Sequence, residues 1–118
     1  MITEHTILGD LELIAHISEI GLRATYGGSF HLGMCTVWSD GKPTYLAPLL
    51  ESALELWLVG EGFDDQRFFY GPAVGLLVRR RSELHGSRGC LGVQTKLEAL
   101  ARLVRQVIES KQKEAQNV

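Results

Sequence analysis

Val93, Leu97, Leu100, Val104 and Val107 recur at spacings of three and four, with Glu98, Arg102, Arg105 and Glu109 largely between them on the other side. This period sets one apolar stripe along a long C-terminal helix, and such a stripe is stable only against another apolar layer. The rest of the 118 residues must supply that layer. A chain of this length suits one domain, since domains most often run to roughly 100–150 residues. No linker, repeat or low-complexity stretch divides it. The sequence predicts a single unit over residues 1–110 and a polar tail, 111–118, that frays beyond the last helix.

The candidates for the covering layer are mixed. Pro48 suits the first turn of a helix, and Leu49, Leu50, Ala53, Leu54, Trp57 and Leu58 follow at helical spacing until Gly60 and Gly62. This helix is apolar over a wide arc, which predicts a place in the core or at a subunit interface. Asp10 to Ile20 reads as a helix capped by Asp10 and stopped by Gly21, although Leu11, Leu13, Ala15 and Ile17 also alternate as a strand would. Leu22 to Trp38 has strand character, interrupted by Gly27-Gly28 and Gly33. Tyr26 to Phe30 reads as a flexible loop or a strand bulge. Ser39-Asp40-Gly41-Lys42 is a hairpin turn, because Asp-Gly supplies the positive φ that a two-residue turn needs. Ala73 to Val78 has the length of a buried strand, with Pro72 at its start. The pattern predicts an α+β fold: a small antiparallel-rich sheet of three or four strands packed against two or three helices.

Charge is unevenly spread along this frame. Residues 1–65 carry ten acids against Arg23 and Lys42, whereas residues 66–118 carry ten bases against four acids. The whole-chain net charge of −2 hides that split. The bases are densest in Arg79, Arg80, Arg81 and Arg88, beside His85, Ser87 and Gly89. If the chain leaves a strand here and turns through Gly86, Gly89 and Gly92 into a helix near Val93, free backbone N–H groups and arginine forks face one anion. The expected ligands are a nucleotide, a nucleic acid or an acidic protein. Spacing matches neither the P-loop nor the dinucleotide glycine pattern. Arg88-Gly89-Cys90-Leu91-Gly92 resembles the acetyl-CoA pyrophosphate loop of the GNAT acetyltransferases. That family's glycines alternate more tightly and nothing upstream matches, so its activity is not carried over. A sequence pI near 6.1 and the lack of a helix-turn-helix, RRM or zinc-finger pattern weigh against nucleic acid.

Catalytic and metal chemistry have little to stand on. The four histidines, His5, His16, His31 and His85, show no metal-ligand spacing, and no cofactor is expected. Cys90 with His85 is the best candidate for a thiolate and its base, helped by a helix N-terminus if one follows. His31 and Cys35 fail as a dyad if their segment is extended, since four strand residues span roughly 13 Å. Glu51, Glu55, Glu61, Asp64 and Asp65 read as a solvated acidic face. No apolar run approaches the roughly 20 residues that cross a bilayer, and the first residues lack the pattern of a signal peptide. These observations predict a cytoplasmic, non-catalytic binding or regulatory protein. The alternative is a small thiol-dependent or nucleotide- or acyl-CoA-using enzyme with its site at the same loop. The apolar arc at Pro48 to Val59 and the opposite charges of the two halves predict a homodimer.

Overall fold

A computed structural model describes residues 6–17, 19–80 and 87–116. Helix α1 (Ile7–Ile14) is followed by strands β1 (Leu22–Thr25), β2 (Ser29–Leu32), β3 (Cys35–Ser39) and β4 (Lys42–Pro43). Helix α2 (Ala47–Gly60), strands β5 (Asp65–Phe69), β6 (Val74–Arg79) and β7 (Arg88–Val93), and helix α3 (Lys96–Gln116) complete the order. Each group of strands is an antiparallel meander, β1-β2-β3-β4 and β5-β6-β7, so the α+β fold holds two small sheets. Helix α3 lies at the centre, against α1, α2, β6 and β7, while α2 also packs on β3.

Local chemistry explains most boundaries. Thr6 caps α1, its Oγ1 accepting from the Gly9 N–H at 3.1 Å. The cap therefore lies four residues before the expected Asp10, and the helix ends at Ile14 rather than Ile20. Asp10 instead lies in the first turn, completely buried. The turn at Asp40 and Gly41 has φ of 54° and 74°, the positive pair a two-residue hairpin requires, and Ser39 pairs with Lys42 across it. Phe30 faces Trp38 while the next residue, His31, faces Thr36, so β3 holds one extra residue. That bulge turns both Val37 and Trp38 into the core. The expected loop at Tyr26 to Phe30 is a tight turn at 26–28, with β2 already under way at Ser29.

Helix α2 matches its expected span, and Phe63 N–H closes its C-terminus by donating to the Leu58 carbonyl at 2.9 Å. Helix α3 begins at Lys96 rather than near Val93. Thr95 Oγ1 accepts from Glu98 N–H at 3.1 Å, and the Glu98 carboxylate accepts from Gln94 N–H at 3.1 Å, a variant of the capping box. The expected stripe is buried from Val93 to Val107. The helix continues through Gln116, so residues 111–116 of the expected tail are exposed helix.

Candidate functional site

The two charge halves of the sequence meet in space. Asp10 of α1 accepts from Arg105 Nη1 of α3 at 2.9 Å, and Arg105 Nε donates to Glu109 at 2.7 Å. Arg102 Nε stands 3.8 Å from the second Asp10 oxygen. The hydrogen bond to Asp10, then that to Glu109, pushes the Arg105 guanidinium above its ordinary range. Lys96 binds Glu55 at 2.8 Å and Lys111 binds Glu61 at 2.7 Å, fastening the C-terminal half of α2 to α3. Much of the acidic cluster expected as a solvated face is thus paired with the basic half.

Among the described residues, the arginines of the basic segment do not share one face. Arg79 lies on the outward face of the second sheet and bonds Asp65 at 3.0 Å. Arg80 stacks over the Phe63 ring at 4.5 Å, near Gly62 at the end of α2. Arg88 pairs in register with the buried Val78, so strand alternation puts it on the α3 side of the sheet, opposite to Arg79. Arg81 and His85 lie outside the described residues, and Ser87 is exposed just before β7. Gly89 is a strand residue whose carbonyl accepts from Gln106 at 3.3 Å. Residues 88–93 form an edge strand where the sequence suggested a glycine loop running into a helix. Gly89 sits inside a strand and α3 starts only at Lys96, so the likeness to an acetyl-CoA loop has no counterpart in the backbone.

Arg88 does line one open groove, of about 570 Å³, with Gln106, Glu109, Ser110, Lys113 and Gln116 of α3. Glu109 is already held by Arg105, whereas Arg88 and Lys113 have no ion-pair partner among the described residues. The groove is consequently polar with two available cations.

Cys90 is held as a buried thiol. Cys90 is 5 % exposed on the inner side of β7, and burial pushes its thiol above the usual range, with Arg102 opposing only in part. This is the environment of an inert core thiol rather than of a nucleophile at a helix N-terminus. His31 faces Thr36 across the β2–β3 hairpin, not Cys35. Its Nε2 meets Thr25 Oγ1 at 3.1 Å and its Nδ1 meets Thr36 Oγ1 at 2.9 Å, so both ring nitrogens are engaged by hydroxyls. Among the described residues no group of three or more His, Cys, Asp and Glu could hold a metal ion, and no helix is long and apolar enough to cross a membrane.

Two apolar surfaces remain open. On α2 the residues opposite the buried Leu50, Leu54 and Leu58 are Pro48, Leu49, Ser52, Leu56, Val59 and Gly60, all exposed and none charged. Leu56, at the middle of this stripe, is 71 % exposed. A surface helix ordinarily carries its charges there. On the second sheet, the outward residues of β5, β6 and β7 include Phe69, Leu77 and Leu91, all exposed. Leu91 lies across Gly75, where a Cβ would come within 2.7 Å of its Cδ2, and beside Phe69. The wide apolar arc of α2 was readable from its sequence, but the sheet surface was not, because β5 and β7 were not recognised as strands. Alternation of Asp65, Arg67 and Phe69 against Gln66 and Phe68 was the available signal.

Comparison with known protein families, curated proteins and solved structures finds no match to this chain.

Proposed function

We propose that this chain is a non-catalytic binding or regulatory protein that works as a cytoplasmic homodimer, paired through the outward stripe of α2. The carrying observation is the uncharged stripe from Pro48 to Gly60, centred on Leu56. In a two-fold contact each residue near the axis meets its own copy, so a charge there repels itself, whereas an uncharged apolar stripe is self-complementary. Ser52 and Gly60 are small enough to let two such helices approach closely. A stable interface buries roughly 800 Å² per partner, and exposed Tyr45, just before α2, extends the apolar surface in that direction. Two unpaired cysteines fit a reducing compartment. Light scattering tests the reading: the protein should have the mass of a dimer at micromolar concentration, and Leu56→Glu should give a folded monomer. A monomeric parent protein overturns it.

An anion-facing side is a second part of this reading, supported by the groove in which Arg88 and Lys113 are available while Glu109 is already engaged. A nucleic-acid backbone there would show affinity falling steeply with salt, whereas a nucleotide or acidic protein would show a shallower dependence and a defined stoichiometry. Replacing Arg88 and Lys113 by Ala should abolish such binding without loss of fold.

A further inference from the structure

We propose that the outward face of the β5-β6-β7 sheet is a docking surface for an acidic, leucine-bearing segment of another protein. The proposal rests on the reading of this chain as a binding protein and names the surface and the partner's chemistry.

Three features of the face carry the inference. The first is its apolar content: Phe69, Leu77 and Leu91 stand outward on neighbouring strands, with Leu91 80 % exposed. Gly75 and Gly89 lie between them and form a low floor, since a Cβ at Gly89 would meet Leu77 Cδ1 at 3.7 Å and one at Gly75 would collide with Leu91. An exposed apolar strip of this kind on a sheet marks a contact surface more readily than a solvated one. The second is charge. Asp65 is the only acid among the outward residues of the three strands, and it faces two arginines. Arg79 Nη2 donates to its Oδ2 at 3.0 Å, and Arg67 Nε stands 3.5 Å from its Oδ1. One carboxylate thus orients two guanidiniums, and both remain largely exposed with donors to spare. The net charge at this end is positive, and the complementary ligand is a carboxylate. The third is the small cleft, about 100 Å³, bounded by Asp65, Arg67, Leu77 and Arg79. It places an apolar wall beside the paired guanidiniums, so one partner residue's aliphatic side chain can rest on Leu77 while a neighbouring carboxylate reaches the arginines. A nucleic acid would use the two cations and stack a base on Phe69, but would gain little from the aliphatic Leu77 and Leu91 that an apolar side chain covers.

The test uses the full chain and four labelled probes in fluorescence anisotropy: a ten-residue peptide with two leucines among glutamates, its lysine counterpart, an all-glutamate peptide, and a single-stranded DNA 20-mer. The leucine–glutamate peptide should bind best. Arg67→Ala with Arg79→Ala, or Leu77→Ser alone, should weaken it by roughly tenfold or more, the scale of losing a charge-assisted contact or a central anchor. Arg67→Glu with Arg79→Glu should shift preference to the lysine peptide. Amide shifts of the unaltered protein on titration with the peptide should cluster on β5, β6 and β7, which keeps the test independent of any variant's folding. Equal binding of the DNA, undiminished binding by the arginine variants, or no binding by any probe overturns the proposal. Shifts confined to the Arg88–Lys113 groove also overturn it, but leave the broader reading as a binding protein standing.

Discussion

Helices α1 and α2 are both fastened to α3, by opposite means. The α1 seam buries a carboxylate: Asp10 is fully enclosed, with Arg105 at 2.9 Å and Arg102 at 3.8 Å. The α2 seam is apolar inside, through Leu50, Leu54 and Leu58, and its ion pairs, Glu55–Lys96 and Glu61–Lys111, lie at the surface. A buried pair contributes little net stability relative to an apolar contact of the same shape, but it leaves a costly charge behind when one partner is lost. A surface pair is worth little in either direction. The α1 seam therefore specifies one arrangement strictly, whereas the α2 seam holds by area and tolerates change at its rim. That contrast fits the proposal that α2 offers its other face to a second copy.

Removing Asp10 is the sharpest way to break this comparison. Asp10→Ala should destabilise the fold by about 3–5 kcal/mol, because Arg105 then stays buried with only Glu109 beside it. Chemical denaturation measures it, and a loss below about 1 kcal/mol would show that the two seams do not differ as described. Asp10→Leu with Arg105→Leu should recover much of the loss, since an apolar pair of similar volume needs no counter-charge.

Next in size is truncation inside the core. Leu100→Ala should cost about 2–5 kcal/mol, as Leu100 is completely buried on α3. Trp57→Ala should cost less, about 1–3 kcal/mol from the apolar area lost. Trp57 is only half buried on α2, under the ammonium of Lys111 5.8 Å from the ring centre. Equal midpoints for the two variants would place Trp57 deeper than the structure does.

What the sequence made legible follows from range. Helix α3, helix α2 and the Asp40-Gly41 turn were readable because period and turn chemistry are local. Strand β7 was hidden because Gly89 and Gly92 dilute its apolar content, and a register shift in the β6–β7 pairing breaks the alternation of Cys90 and Val93. Strand β5 was hidden because Asp65 and Arg67 are its outward residues and look like loop. Asp10 reads naturally as a helix cap, and its true partner, Arg105, lies 95 residues away, beyond any local pattern. Arg79 and Arg88, both counted in the dense basic segment, lie on opposite faces of the second sheet for a related reason. Side chains alternate along a strand, so Arg79 stands outward beside Asp65, whereas Arg88, paired with the buried Val78, points to the α3 side. The charge split, by contrast, carried real information: acids of the first half and bases of the second are the partners that tie the helices and strands together.

The smallest effect tests the rim of the α2 seam. The hydrogen bonds that Lys96 and Lys111 donate to Glu55 and Glu61 hold both lysines above the ordinary lysine value of 10.5. A lysine whose pKa is raised by folding contributes stability that is complete below its unfolded pKa and is lost as pH rises through the folded one. The contribution of these pairs should therefore be flat at neutral pH and fall away in alkaline solution above about pH 10.5. Lys96→Met and Lys111→Met should each change stability near neutrality by less than about 1 kcal/mol, and should flatten the alkaline limb of the stability profile. High salt should diminish the parent protein's advantage over these variants, because the screening length of solvent-exposed charges shrinks from about 10 Å at 0.1 M to about 3 Å at 1 M, close to the separation within these pairs. It should leave the loss caused by Asp10→Ala nearly unchanged, since that charge is enclosed. If salt erased both differences alike, the two seams would share one electrostatic character, and the distinction between a specified α1 and an adaptable α2 would fall.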